Sequence, residues 1–205
     1  RSSWLATLPM LLTLLLAVRR RGLLTGLLSA ALLLGPLLAP REVVERIRFT
    51  FAQPVERGQI ELGGVRLDTS TSARFESWTV GLKGWSQNPL FGHGVTGFRF
   101  MDAQYVRVLV ETGLTGFAVF AWILVRLVQQ ARRDLALALP GWRRGLSAGY
   151  LAGLVGLMVH GIGANTFIII RIMEPFWLFT GIAMLLPQLP AAPQTTREPL
   201  LRIVL

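Results

Sequence analysis

Apolar runs close to membrane-spanning length, separated by clusters of arginine, set the limits on what this chain can become. Residues 4–18 form the first run, and Arg19, Arg20 and Arg21 close it at once. Residues 22–40 form the second. A third, 103–125, ends at Arg126, Arg132, Arg133, Arg143 and Arg144; a fourth covers 146–163 and a fifth 175–189. A span needs roughly 20 predominantly apolar residues. In lipid the backbone polar groups must be satisfied within the protein, and a helix does this segment by segment. The expected fold class is therefore an all-α integral membrane protein of about five transmembrane helices with one long polar loop.

Composition agrees. Of 205 residues 52% are hydrophobic and 16% charged, with mean hydropathy +0.52, too apolar for an ordinary soluble domain. The absence of cysteine excludes disulfides, thiolate nucleophiles and Cys-ligated metals. Two distant histidines make a structural zinc site a poor reading; no metal and no cofactor is expected. The net charge of +10 would suggest nucleic acid in a soluble protein. Here the arginines flank apolar runs, so orientation signals and anionic lipids account for them, and no nucleic-acid partner is expected. The chain opens Arg-Ser-Ser without Met or signal-peptide pattern, and is read as the C-terminal part of a longer protein.

The positive-inside rule puts both arginine-rich turns in the cytoplasm. The organisation that follows is two spans in 1–40, an extracytoplasmic loop over 41–101, three spans in 102–189 and a Pro-rich cytoplasmic tail from 190 to 205. Within the loop, Ile60, Leu62, Val65 and Leu67 alternate around Gly63-Gly64, the pattern of a small hairpin. Phe75, Trp78, Leu82 and Trp85 recur at helical spacing and share one face. That helix either lies on the membrane surface or packs on neighbouring spans. Arg74, Ser77 and Gly81 fall off the stripe and are free to face a site.

Asn88-Pro89 marks a turn, and Gly92 to Gly97 matches G-x-G-x-x-G. No strand precedes it and no βαβ unit surrounds it, so a dinucleotide site is rejected. Two readings stay open for Gly92 and Gly94: backbone N–H groups offered to a phosphate, or a tight turn re-entering the membrane. His93 reads as a polar loop residue. Asp102 is either an N-cap or a chemical group. Gln104, Arg107 and Glu111 share a helical face, with Arg107 and Glu111 spaced to pair. At about 1.5 Å per residue, Glu111 falls roughly 12 Å inside the outer boundary, close to the depth expected for His160. Ionisable groups at that depth mark either a functional site or a structural hydrogen bond between spans. Gly113 and Gly116 permit close helix packing, and Arg171 and Glu174 are spaced to pair.

Taken in order, these pieces resemble the O-antigen ligase and O-antigen polymerase superfamily. The resemblance rests on Arg74 and Trp78 in an amphipathic helix, Pro89 to Gly94, Asp102-Ala103-Gln104-Tyr105, Glu111 to Gly116, and Asn165-Thr166-Phe167 through Arg171 and Glu174 to Trp177 and Gly181. It implies a GT-C-like helical bundle, present here in part, of the bacterial inner membrane. It also implies metal-independent transfer or polymerisation of glycan from a polyprenyl-diphosphate carrier to a glycan or lipid acceptor on the outer side. Ligases of this family carry His-Asn where this chain has Asp102 and Ala103, which favours a polymerase or another polysaccharide transferase. On this resemblance Asp102 is the candidate base, with Glu111, Gln104 and Tyr105 in support. Arg74 and Arg171 are the candidate diphosphate clamps; Arg99, Gly92, Gly94 and His160 are further candidate substrate contacts. The rival reading is a transporter or flippase subunit whose charged groups line a lipid or ion path.

Overall fold

The computed structural model describes residues 2–18, scattered positions between 22 and 45, and residues 61–62, 65–66, 69–139 and 141–189. The first arginine cluster, most of the expected second span and the tail from 190 lie outside the described residues. Helix α1 is Ser2–Ala17; β1 (Glu61–Leu62) pairs antiparallel with β2 (Val65–Arg66). Then follow α2 (Thr69–Trp85), α3 (Gln104–Leu137), α4 (Trp142–Gly163), α5 (Ile170–Leu185) and a 3₁₀ turn, Leu186–Gln188. Apart from the two-residue strand pair, the described architecture is helical. Gln104–Leu137, Trp142–Gly163 and Ile170–Gln188 are long and apolar enough to cross a membrane, and α1 is a shorter apolar helix.

The bundle centres on α4. Helix α1 lies along it, with Gly156 against the Met10 side chain. Leu127 of α3, Leu154 of α4 and Phe176 of α5 form the buried core, with Tyr150, Leu157, Met158 and Met173 packed around it. The Tyr150 and Thr180 hydroxyls share a 3.0 Å hydrogen bond that ties α4 to α5. An apolar groove of about 610 Å³ runs between α1, α4 and α5 from Gly145 to His160. Arginines gather at the other end, where Arg144 Nη1 donates to the Leu135 carbonyl at 3.1 Å and Arg143 Nη1 to that of Leu189 at 3.0 Å.

Helix α3 is not straight. Gly113 has φ 67° and ψ −169°, an extended left-handed conformation inside a helical run that glycine adopts readily and other residues do not. A continuous helix would hold Tyr105 and Phe120 about 22 Å apart; their ring centroids are 6.1 Å apart. The short arm 104–112 therefore doubles back against the long arm 114–137. This corrects the depth assigned to Glu111. Counting inward from Asp102 assumed one straight rod, and the arm folds the other way.

The break leaves main-chain groups without helical partners, and the loop after α2 supplies them. In an unbroken helix Leu114 N would donate to Val110 O, and Thr115 N to Glu111 O. Instead Leu114 N donates to Pro89 O (2.8 Å) and Thr115 N to Leu90 O (3.2 Å). The freed carbonyls of Val110 and Glu111 accept from His93 N (3.0 Å) and Gly94 N (2.8 Å). The loop is thus threaded into the opened helix, a latch of four hydrogen bonds. Glycine is required on both sides of it. A Cβ on Gly92 (φ 68°) would lie 2.6 Å from the Glu111 carbonyl, and one on Gly113 would collide with Leu90 O.

Candidate active site

The folded-back arm carries Gln104, Tyr105, Arg107 and Glu111 to the end of the bundle where α4 gives way to α5. Gln104 is 1% exposed, and its Oε1 accepts from Thr166 N at 3.0 Å and Phe167 N at 2.9 Å. Tyr105 donates its hydroxyl proton to Met158 O at 2.6 Å. These two residues fasten the arm to the 164–169 turn and to α4. Arg107 and Glu111 pair at 2.9 Å, as their spacing suggested, with Arg107 also 5.7 Å from the Phe100 ring centroid.

Asp102 does not cap α3. The N-cap position is Ala103 and makes no side-chain bond. Asp102 is exposed, and its Oδ1 reaches across to the Asn165 backbone N–H at 3.4 Å. Asn165 is buried and donates its Nδ2 to Met101 O at 2.7 Å. Next to it, His160 Nδ1 and Thr166 Oγ1 lie 2.8 Å apart. His160 and Asp102 thus meet the same turn, at Thr166 and Asn165. Two buried polar atoms, Asn165 Oδ1 at this rim and Trp78 Nε1 on α2, have no hydrogen-bond partner among the described residues.

Helix α2 delivers Arg74 by a face different from the aromatic stripe. Its buried positions are Ser72, Gly81 and Gly84. Gly81 sits under Met101 and Val106, and Gly84 against the Phe98 ring. Phe75 and Leu82 stay exposed while Trp78 and Trp85 are half-buried, with Phe75 and Trp78 rings 5.2 Å apart. Arg74 and Ser77 are half-buried beside this contact. Arg99 and Arg171 are exposed, and no ion pair joins Arg171 to Glu174 among the described residues.

The loop glycines point their chemistry inward. Gly92 N donates to Asn88 O at 2.9 Å and Gly94 N to Glu111 O, so these amides hold the latch together. His93 is likewise a structural group: its Nε2 lies 2.8 Å from Gly84 O, and Asn88 Nδ2 lies 3.3 Å from its Nδ1. Asn88 Nδ2 can only donate, which leaves the ring proton on Nε2, facing the carbonyl. Glu111 and His160, expected to share a depth, turn to different partners, Arg107 and Thr166. The pieces that sequence reading did not assign to the site are Asn165 and Thr166. Their signal was present in the Asn165-Thr166-Phe167 motif, whose role is to receive Asp102 and Gln104.

A family model described as O-antigen ligase matches residues 1–121, more than half of the chain. The matched stretch contains the latch loop, Asp102 and the folded-back arm. No curated protein and no solved structure matches the chain.

Proposed function

The chain belongs to the O-antigen ligase family, and we propose that it transfers glycan from a polyprenyl-diphosphate carrier to an acceptor hydroxyl at the Asp102 rim. The observation that carries this reading is Asp102 itself: an exposed carboxylate with no cation within ion-pair distance among the described residues, held against Asn165 on the turn that His160 also meets. In the reaction the acceptor oxygen bonds to the anomeric carbon, the bond from that carbon to the carrier diphosphate breaks, and the acceptor proton passes to Asp102. The departing diphosphate gathers negative charge. Arg74 and Arg171 neutralise it, the guanidinium fork being suited to phosphate oxygens, with Arg99 as an outlying contact. Glu111, held by Arg107, and Gln104 and Tyr105, held by their backbone partners, position the arm.

The buried Asn165 Oδ1, an acceptor with no partner among the described residues, suits a sugar hydroxyl that donates. The apolar groove that ends at His160 suits the hydrocarbon chain of the carrier. The rim faces outward from a bacterial inner membrane, with 41–101 on the same side and the arginine-rich end in the cytoplasm. Asp102 and Ala103 in place of His-Asn favour chain polymerisation over ligation to a lipid core. The arginines carry the charge stabilisation, so a chelator leaves the rate unchanged.

The test is turnover of lipid-linked oligosaccharide by the full-length protein in detergent. Asp102→Asn should lose on the order of 10²–10⁴ in rate, the usual worth of a positioned base, with unchanged thermal stability; Arg74→Ala should also be impaired. Variants that fold and still build product at the wild-type rate would overturn the assignment. Passage of the lipid across a vesicle without bond change would identify a transporter.

A further inference from the structure

At the opposite end of the bundle a cavity of about 210 Å³ is lined by Asp134, Arg143 and Ser147, with Leu137, Ala138 and Leu186 among its apolar walls. Asp134 is 5% exposed. Its hydrogen-bond partner is neutral, Gln130 Nε2 at 2.8 Å. No described cation lies within ion-pair distance of it. A buried carboxylate without a cation is costly, and such groups are found paired. The nearby guanidiniums are turned elsewhere: Arg144 donates to Leu135 O, and Arg143 donates to Leu189 O and lies over the Trp142 ring at 5.6 Å. The cavity wall therefore presents the Asp134 carboxylate from one helix and the Arg143 guanidinium from the next.

Its place along the bundle adds a second constraint. The cavity opens where α3 ends and α4 begins, beside Trp142, which is 65% exposed. An exposed Trp at a span end marks headgroup level, and Arg132 and Arg133 surround that level with positive charge. A ligand that fits carries an ammonium and a phosphate a few bonds apart and arrives from the bilayer. We propose that this cavity binds the headgroup of an aminophospholipid, phosphatidylethanolamine, with the ammonium on Asp134 and the phosphate on Arg143 and Ser147. Three N–H donors on the ammonium distinguish it from choline, which has none. The site is separate from the Asp102 rim and does not depend on the reaction assigned there.

The experiment measures lipid retention by native mass spectrometry and lipid-induced thermal stabilisation of the full-length protein in detergent. The arms are short-chain phosphatidylethanolamine, phosphatidylcholine, phosphatidylglycerol and free phosphoethanolamine. Wild type should prefer phosphatidylethanolamine over phosphatidylcholine by about tenfold, the discrimination that a hydrogen bond to a charged group carries. Asp134→Asn should abolish that preference, leaving the lipids alike. If Asp134→Asn does not fold, Ala138→Leu fills the cavity while keeping the carboxylate, and should lose the same preference. Equal binding of all lipids by wild type, or a preference that survives in the variants, overturns the proposal. An effect of free phosphoethanolamine equal to that of the lipid overturns the assignment to a bilayer ligand.

Discussion

The two ends of α3 are secured by different kinds of atom. At residues 104–115 the helix is opened at Gly113, and the loop at 89–94 closes it again with four main-chain hydrogen bonds. At residues 126–137 the helix is unbroken, and its polar contacts are made by side chains, Gln130 with Asp134 and Arg144 of α4 with the Leu135 carbonyl. Main-chain bonds within a threaded loop fix position to a fraction of an ångström. Surface side chains on an intact helix leave the backbone indifferent to their identity. The end that carries Asp102 is therefore the one where geometry is imposed, and the arginine-rich end is one where charge matters more than position.

The sharpest way to break this contrast is Gly113→Ala. It combines left-handed strain of about 1–3 kcal/mol with a collision against Leu90 O and the loss of latch bonds worth roughly 1 kcal/mol each. Unfolding stability should fall by on the order of 3 kcal/mol or more. Hydrogen exchange should quicken at the amides of His93, Gly94, Leu114 and Thr115 together. Independent exchange at these four would show that the latch is not one unit. Gln104→Leu comes next. It strands the Thr166 and Phe167 amides at about 1–3 kcal/mol for a buried unsatisfied donor, read as a lowered melting temperature with a slower reaction. Arg132→Ala, at an exposed position of the other end, should stay within about 0.5 kcal/mol of wild type. If its effect on stability approaches that of Gly113→Ala, the two ends are not built differently.

Three of the five expected spans were legible because a long apolar run is itself the signal of a helix able to cross a membrane. The third, fourth and fifth runs became α3, α4 and α5, with α3 continuing to Leu137 and α5 beginning at Ile170, before its internal Pro175. The break in α3 was not legible. Helical spacing of Gln104, Arg107 and Glu111 is satisfied within a two-turn arm as well as in a long rod, and a glycine reads alike as a packing surface or a hinge. Only the contact between Gly113 and Leu90, which are distant in sequence, distinguishes the two. Asp102 was found as a candidate because a carboxylate at the mouth of an apolar run is conspicuous. Asn165, which holds it, is an ordinary turn residue until the fold places it there.

Every donor and acceptor of the latch belongs to the peptide backbone. None of the four bonds is made by a side chain, so the identities of Leu90, His93, Val110 and Glu111 do not enter into them. Heritable change reaches the device through Gly92 and Gly113, where a methyl group on either one intrudes on the segment that holds the other. The two positions carry a single joint constraint, and a lineage that surrendered one glycine would have no reason to keep its counterpart.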